Sequence, residues 1–506
     1  MAVDSRISFE QFCRGLGFQR FPFSQYSTEN ELEIREKLFY MPSDYSPIVE
    51  AFTNGQSMFI VGNRGSGKTA LLYDLESKVS AFTNLLITRL DDFSNLPHPL
   101  AIEQYYHTII AKLTLSLFTR LVVEKDRIKQ LNDEQRTLLV YLLQKYYPSV
   151  YRAELVKRIE SLSLSWASRV TKRGYNFLRD LLNYGLSAAV QFTSDVVRQH
   201  FASLPPIPKE FVLRQYFPGI PLEANKDFKD QEVLYDFFNR CLELVKALGF
   251  QRFVIVLDKI DEDQRLSNDA ETIRDFIAPV LTDNKLLLNE RIQHVVSLWI
   301  IPFTLLTDRI RSQKLFNARL NWRSNDLVGA LNKRMGVFSN GRAPTFDNLF
   351  ASDVTVGQKQ LILDLANRNP RDLWHIMRRL LEAQYEVDAT SLVISEKAVK
   401  IGLDTFVKEF NYYEYYPPKI VSRADSLDVY SYIRHLLKLS TTEFTRNHFK
   451  DVTGISGGSA SNYVDQMQRM GLIINSDRDG RNVVYSIVDP KIKYAIQNNI
   501  SITKAS

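Results

Sequence analysis

VGNRGSGKTALL, residues 61–72, decides the fold. Gly62, Gly67, Lys68 and Thr69 satisfy the pattern G-x-x-x-x-G-K-[ST], a phosphate cradle when a strand precedes it and a helix follows. Both flanks fit. SMFIVG, 57–62, is a short apolar run. KTALLYDLESKV, 68–79, spaces Leu71, Leu72, Leu75 and Val79 along one helical face. Gly62, Gly65 and Gly67 let the backbone turn tightly and aim its N–H groups at phosphate oxygens. The helix opening at Lys68 adds its positive end. The expected nucleotide-binding loop is therefore Gly62, Asn63, Arg64, Gly65, Ser66, Gly67, Lys68, Thr69 and Ala70. Lys68 reaches the outer phosphates of ATP, and the Thr69 hydroxyl suits Mg²⁺, which prefers oxygen donors.

A second box complements the first. FVIVLDKIDE, 253–262, is a buried-type strand ending in acids. A carboxylate at the C-terminal end of such a strand lies in the crevice where open α/β sheets bind ligands. Asp258 is thus the expected Mg²⁺ partner of Thr69. Asp261 and Glu262 are both candidates to orient an attacking water, with Glu262 preferred. NLLITRLDDF, 84–93, and HVVSLWIIP, 294–302, read as further strands. Strands alternating with helices around a phosphate loop predict an α/β fold with a parallel sheet covered on both faces.

About 190 residues separate Lys68 from Asp258. The helical pattern from about 100 to 245 predicts an insertion or packed helical subdomain inside a core spanning 56–325, after an approach segment at 1–55. Between Lys145 and Arg214 eleven bases stand against five acids, a solvated helix face or a surface for DNA. The whole chain carries only +6, which permits a polyanionic partner without demanding one. Cys13 and Cys241 are too few for a disulfide framework and fit a reducing compartment. MAVDSRISFEQF has no signal-peptide pattern. The apolar run at 295–307 falls short of the roughly 18–20 residues of a membrane helix. These features predict a cytoplasmic protein without membrane contact.

The two boxes and the helical stretch between them resemble STAND and KAP-like P-loop ATPases, relatives of AAA+ proteins. GFQRFPFS, 17–24, followed by ELEIREKLFYMP, resembles the start of bacterial FunZ-type or origin-recognition-like ATPases. That resemblance implies that Phe23 and Tyr40 flank adenine. LNWRSNDLVGALNKRM, 320–335, resembles the helix after the last core strand. NRNPRDLWHIMRRLL, 367–381, resembles a lid box and implies that Arg371 senses the γ-phosphate. The resemblance covers roughly 15–400, with a helical lid at 326–415, and implies bacterial antiphage defence. The sequence departs from it at the strand before the lid, where Thr304 is the nearest polar candidate. Arg309 and Arg311 lie where an arginine finger belongs.

Residues 420–506 read as helix, helix, helix, hairpin, the order of a winged helix-turn-helix domain. Its third helix carries Ser459, Asn462 and Gln466, and its hairpin Arg478 and Arg481, the candidates for DNA contact. Protein docking, to an effector, is the other reading of such a unit. The expected function is an ATP-hydrolysing, Mg²⁺-dependent switch that controls assembly, including homo-oligomerisation, or partner contact. The alternative is an ATP-locked DNA-binding or docking module with negligible hydrolysis. No N-K-x-D stretch is present to read guanine.

Overall fold

Five short runs lie side by side as one parallel sheet in the computed structural model. They are β1 (Met58–Gly62), β2 (Leu85–Leu90), β3 (Arg252–Leu257), β4 (Ile292–Trp299) and β5 (Phe316–Arg319), in the order β2-β3-β4-β1-β5. Described are residues 7–31, 33–79, 84–121, 123–146, 231–479 and 482–504. The basic run from Arg152 to Arg214 and the hairpin residue Arg481 lie outside them.

The helices that matter below, in chain order, begin with α1 (Phe9–Gly15), α2 (Tyr45–Thr53) and α3 (Lys68–Asp74). Next come α4 (Ile102–Leu121), α5 (Asp133–Tyr146), α6 (Gln231–Ala247), α7 (Ala270–Leu281) and α8 (Ile300–Leu306). Then follow α9 (Ser324–Ser339), α10 (Val356–Leu365), α11 (Pro370–Val387) and α12 (Glu396–Glu409). The C-terminal helices are α13 (Val429–Leu436), α14 (Arg446–Thr453), α15 (Gly457–Arg469) and α16 (Pro490–Gln497).

Strand side chains alternate between faces, so each strand feeds two cores. Phe59, Val61, Ile255 and Leu257 face α4 to α8. Met58, Ile60, Val254 and Val256 face α2 and α3, meeting Phe52, Leu71 and Leu72. Covering both faces explains why these strands read as continuous apolar runs. The helices α4, α5 and α6 share the sheet's own core.

A third apolar core joins α1 and α9 to α16. Residues beyond 420 share it with α9 to α12. They follow the order α13, β6 (Glu443–Thr445), α14, α15, β7 (Ile473–Asp479), β8 (Asn482–Ile487), α16. The three strands form an antiparallel sheet, β6-β8-β7. The sequence reading missed β6 and β5, because three or four residues carry no alternation worth reading. It also ran β4 too far. The strand ends at Trp299 and α8 starts at Ile300. Pro302 fits there because a helix's first turn has no use for its N–H groups.

α11 shows how local chemistry sets an element. Asn369 caps it, its side chain accepting from Arg371 N at 3.0 Å, and Pro370 holds the first position. Leu373, Ile376, Met377 and Leu380 then recur at helical spacing on the buried face.

The approach segment is fastened by one buried cation. Arg334 on α9 donates to the Pro22 carbonyl at 2.7 Å, to the Gln25 carbonyl at 3.1 Å and to both oxygens of Glu31. Both partners of that ion pair are below one-tenth exposed, at 6% and 9%. Glu31→Ala strands the guanidinium, so a loss of about 3–5 kcal/mol is expected. A shift of the urea unfolding midpoint measures it; an unchanged midpoint contradicts the anchoring role.

Candidate functional site

The loop after β1 needs its glycines at two points. Gly65 has φ +79°, and a Cβ there would lie 2.7 Å from Arg371 Cβ and 2.8 Å from Asn369 Oδ1. A Cβ on Gly62 would lie 2.5 Å from Ser66 Oγ. The loop and the start of α11 are in direct contact. Ser66 N donates to the Asn63 carbonyl at 3.2 Å, and the Ser66 carbonyl accepts from Trp322 Nε1 at 2.8 Å. Lys68 Nζ donates to the Gly62 and Asn63 carbonyls at 3.1 and 3.0 Å. Burial lowers the Lys68 pKa below its ordinary value, against the pull of Asp261 and Asp258.

Thr69 Oγ1 donates to Asp258 Oδ2 at 3.0 Å, so two oxygen donors from distant boxes meet beside the loop. Asp258 is 2% exposed. Its Oδ2 also accepts from Arg89 Nη1 at 3.1 Å. Arg89, from β2, donates to Glu76 through Nε and Nη2 at 3.0 and 2.7 Å and lies 4.0 Å over the Tyr73 ring. Sequence reasoning missed Arg89; its only signal was a charge inside an apolar strand.

The two candidate bases are held differently. Arg64 Nε donates to Asp261 Oδ2 at 2.6 Å while its guanidinium lies 4.8 Å over the Trp299 ring. Burial pushes the Asp261 carboxyl up, but Arg64 and Lys68 outweigh it and hold its pKa below the usual range. Glu262 is 63% exposed, 3.7 Å from Lys259. Partial burial raises its pKa above the ordinary value, with Asp261, Glu29 and Asp258 adding to the effect against Lys259. Lys259 itself pairs with Glu29 at 2.7 Å from a left-handed backbone, φ 61°.

These groups line one cavity of about 650 Å³, within the range of about 300–1,000 Å³ typical of small-molecule sites. Lys68, Thr69, Ala70, Asp258, Asp261, Glu262 and Arg371 are among its lining residues. Tyr40, Pro42, Leu320 and Trp322 supply apolar lining, Leu320 and Trp322 beside the loop glycines Gly62 and Gly67. Tyr40 packs flat enough on α9 that a Cβ on Gly329 would lie 2.5 Å from its hydroxyl. Phe23 is not at the cavity: it is fully buried against Phe21 and Trp374 in the third core. Arg371 Nη1 lies 3.4 Å from Glu414, while its buried Nε has no partner among the described residues. Ser297, on β4, also lines the cavity and was missed. Thr304 lies inside α8, its hydroxyl donating to the Ile300 carbonyl at 2.9 Å, so it is not at the strand end. Arg309 pairs with Asp275 at 3.5 Å.

The oxygen donors of Thr69 and Asp258 fit Mg²⁺, which takes one or two protein oxygens and completes its shell with phosphate and water. Among the described residues no group of three His, Cys, Asp or Glu side chains could hold a metal alone.

The C-terminal candidates divide. Gln466 is fully buried, accepting from Tyr432 Oη at 2.6 Å and donating to Asn462 Oδ1 at 3.1 Å. It cannot reach a base edge; the buried phenol of Tyr432 requires an acceptor, and Gln466 supplies it. Asn462 donates to Asp425 at 2.5 Å, and Ser459 takes part in the α15 cap with Ser456 at 2.9 Å. Arg478 lies in β7 opposite Val483. No helix among the described residues is long and apolar enough to cross a membrane.

No protein-family model matches the chain, and no curated protein matches it. Among solved structures it is similar to the ORC2 protein of Aeropyrum pernix in its ADP form. The identity is 12% and the TM-score 0.36, over 92% of this chain and 98% of that one. So distant a likeness assigns no family, and the site is read from its own geometry.

Gly65→Ala forces the loop and α11 apart. A cost of about 1–3 kcal/mol is expected from the overpacked contact. A lower thermal midpoint with faster proteolysis around α11 checks it; wild-type behaviour contradicts the close approach.

Proposed function

We propose that the chain is an ATP-binding switch that requires Mg²⁺ and hydrolyses ATP slowly. The observation that carries the reading is the 3.0 Å contact between Thr69 and Asp258 at the mouth of a glycine loop. Loop N–H groups and Lys68 bind the phosphates, Lys68 exchanging its two carbonyl partners for phosphate oxygens. Bound Mg²⁺ supplies charge neutralisation of the phosphates, with Thr69 and Asp258 as its protein partners. The apolar lining, with Tyr40 and Trp322, takes the base.

Asp261 is committed to Arg64, which leaves Glu262 to orient the water. That water attacks the γ-phosphorus, the bridging P–O bond to ADP breaks, and the water's proton passes to Glu262. The raised pKa of Glu262 suits acceptance of that proton. Its exposure supports a slow rate, since a mobile carboxylate holds a water loosely. The unpaired Nε of Arg371 supports a guanidinium that pairs with the γ-phosphate and reports ATP against ADP.

In this reading residues 56–325 are the ATPase core, 326–415 the lid and 420–506 a winged-helix unit. The exposed part of α15 carries Asp465, paired to Arg446 at 2.6 Å, and Gln466 is buried. Both features favour protein docking over DNA contact for that unit.

Phosphate release tests the proposal. Lys68→Ala is expected to abolish release, and Glu262→Gln to lower kcat by roughly 10²- to 10⁴-fold with ATP affinity retained. Asp261→Asn should instead weaken nucleotide binding by loosening Arg64. Equal release from wild type and Lys68→Ala removes the ATPase reading. ATP binding without release supports the locked module. Affinity for duplex DNA that falls steeply with salt overturns the docking assignment.

A further inference from the structure

The glycine loop is tied to the far end of the chain by an unbroken run of buried polar groups. Asn369 is 1% exposed. Its Nδ2 donates to the Arg64 carbonyl at 2.6 Å and to Tyr415 Oη at 2.7 Å, while Oδ1 accepts from Arg371 N at 3.0 Å. Tyr415 Oη donates to Asp372 Oδ2 at 2.7 Å. Lys491 Nζ, from α16, reaches the same oxygen at 3.1 Å and Asp489 Oδ1 at 3.7 Å. The ammonium also lies 4.3 Å from the Phe410 ring centroid and 4.6 Å from that of Tyr415.

Lys491 and Asp489 are fully buried, and Asp372 is nearly so. A buried ion pair gives little net stability over an apolar pair of like volume. A fixed geometry comes from the hydrogen bonds of Asp372, Tyr415 and Asn369, while the buried Lys491 ammonium makes no hydrogen bond of its own and acts on Asp372 by charge. Here that geometry ends on Asn369, whose amide is fixed between Arg64 in the loop and Arg371 at the head of the lid helix. Glu414, next to Tyr415 in sequence, holds the same Arg371.

We propose that Lys491, carried by the C-terminal unit, is a positioning residue for the nucleotide loop, acting through Asp372, Tyr415 and Asn369 on Arg64 and Arg371. The proposal rests on the nucleotide reading of that loop. Coupling of this kind is reciprocal: what the loop binds also biases how the C-terminal unit sits on the lid. A partner that docks on the unit therefore feels the nucleotide through this run of side chains.

The test uses the full chain as wild type, Lys491→Met, Tyr415→Phe and the double variant. ATP affinity is read by calorimetry. Loop conformation is read by ¹⁹F NMR after 5-fluorotryptophan labelling; the chain has four tryptophans. Trp322 donates to the Ser66 carbonyl and is outside the buried run, so it reports the loop independently. Each single variant is expected to weaken ATP binding by roughly 5- to 150-fold and to move the Trp322 resonance. The double variant should be no weaker than the worse single, because both cut one path.

Unchanged affinity with an unmoved Trp322 resonance, in variants that stay folded, overturns the proposal. So do additive losses in the double variant. Tyr415→Phe removes one oxygen only and keeps the test available should Lys491→Met fail to fold. If wild type binds no ATP, the nucleotide reading fails; the Trp322 resonance then still decides whether Lys491 positions the loop.

Discussion

Thr69 and Asp258 stand 189 positions apart and meet at 3.0 Å. The sheet order makes this possible. β1 carries the loop, β3 carries Asp258, and β4 lies between them. All three strands are parallel and end at the same edge, so their C-terminal ends open onto one crevice. Loop, carboxylate and the β4 residue Ser297 therefore share a cavity with no need for long connections to converge. Burial of β1, β3 and β4 on both faces holds this edge.

The site is dense in charge, and its balance is local. Two bases, Arg64 and Arg89, are each committed to a carboxylate that the sequence marks for chemistry or metal. Arg89 keeps Asp258 and Glu76 compatible at close range. Arg64 takes Asp261 out of contention, which separates two acids that differ by one position. α11 enters through Asn369 and Arg371 and touches the loop backbone itself, so the loop and the start of α11 are in direct contact.

Much of this was legible in the sequence for a physical reason. Strands buried on both faces read as unbroken apolar runs, and a phosphate loop has little freedom in where it puts glycine and lysine. The rest depended on tertiary contact. β5 is a four-residue edge strand, half exposed, and its residues FNAR follow no pattern. Arg89 has partners on two other elements, so its role appears only once β2 lies beside β3. Gln466 is of a type usually exposed; only the buried Tyr432 hydroxyl explains why it points inward. The stretch from about 100 to 245 read as an insertion or a packed helical subdomain, and helical spacing alone does not say that α4, α5 and α6 pack on the sheet.

Calorimetric titration of ATP with and without Mg²⁺, in wild type and Asp258→Asn, tests the central claim most directly. Wild type should bind ATP more tightly with Mg²⁺, and Asp258→Asn should lose that gain while keeping metal-free binding through the loop. An equal response to Mg²⁺ in both proteins would contradict the account, because Asp258 would then play no part in holding the metal.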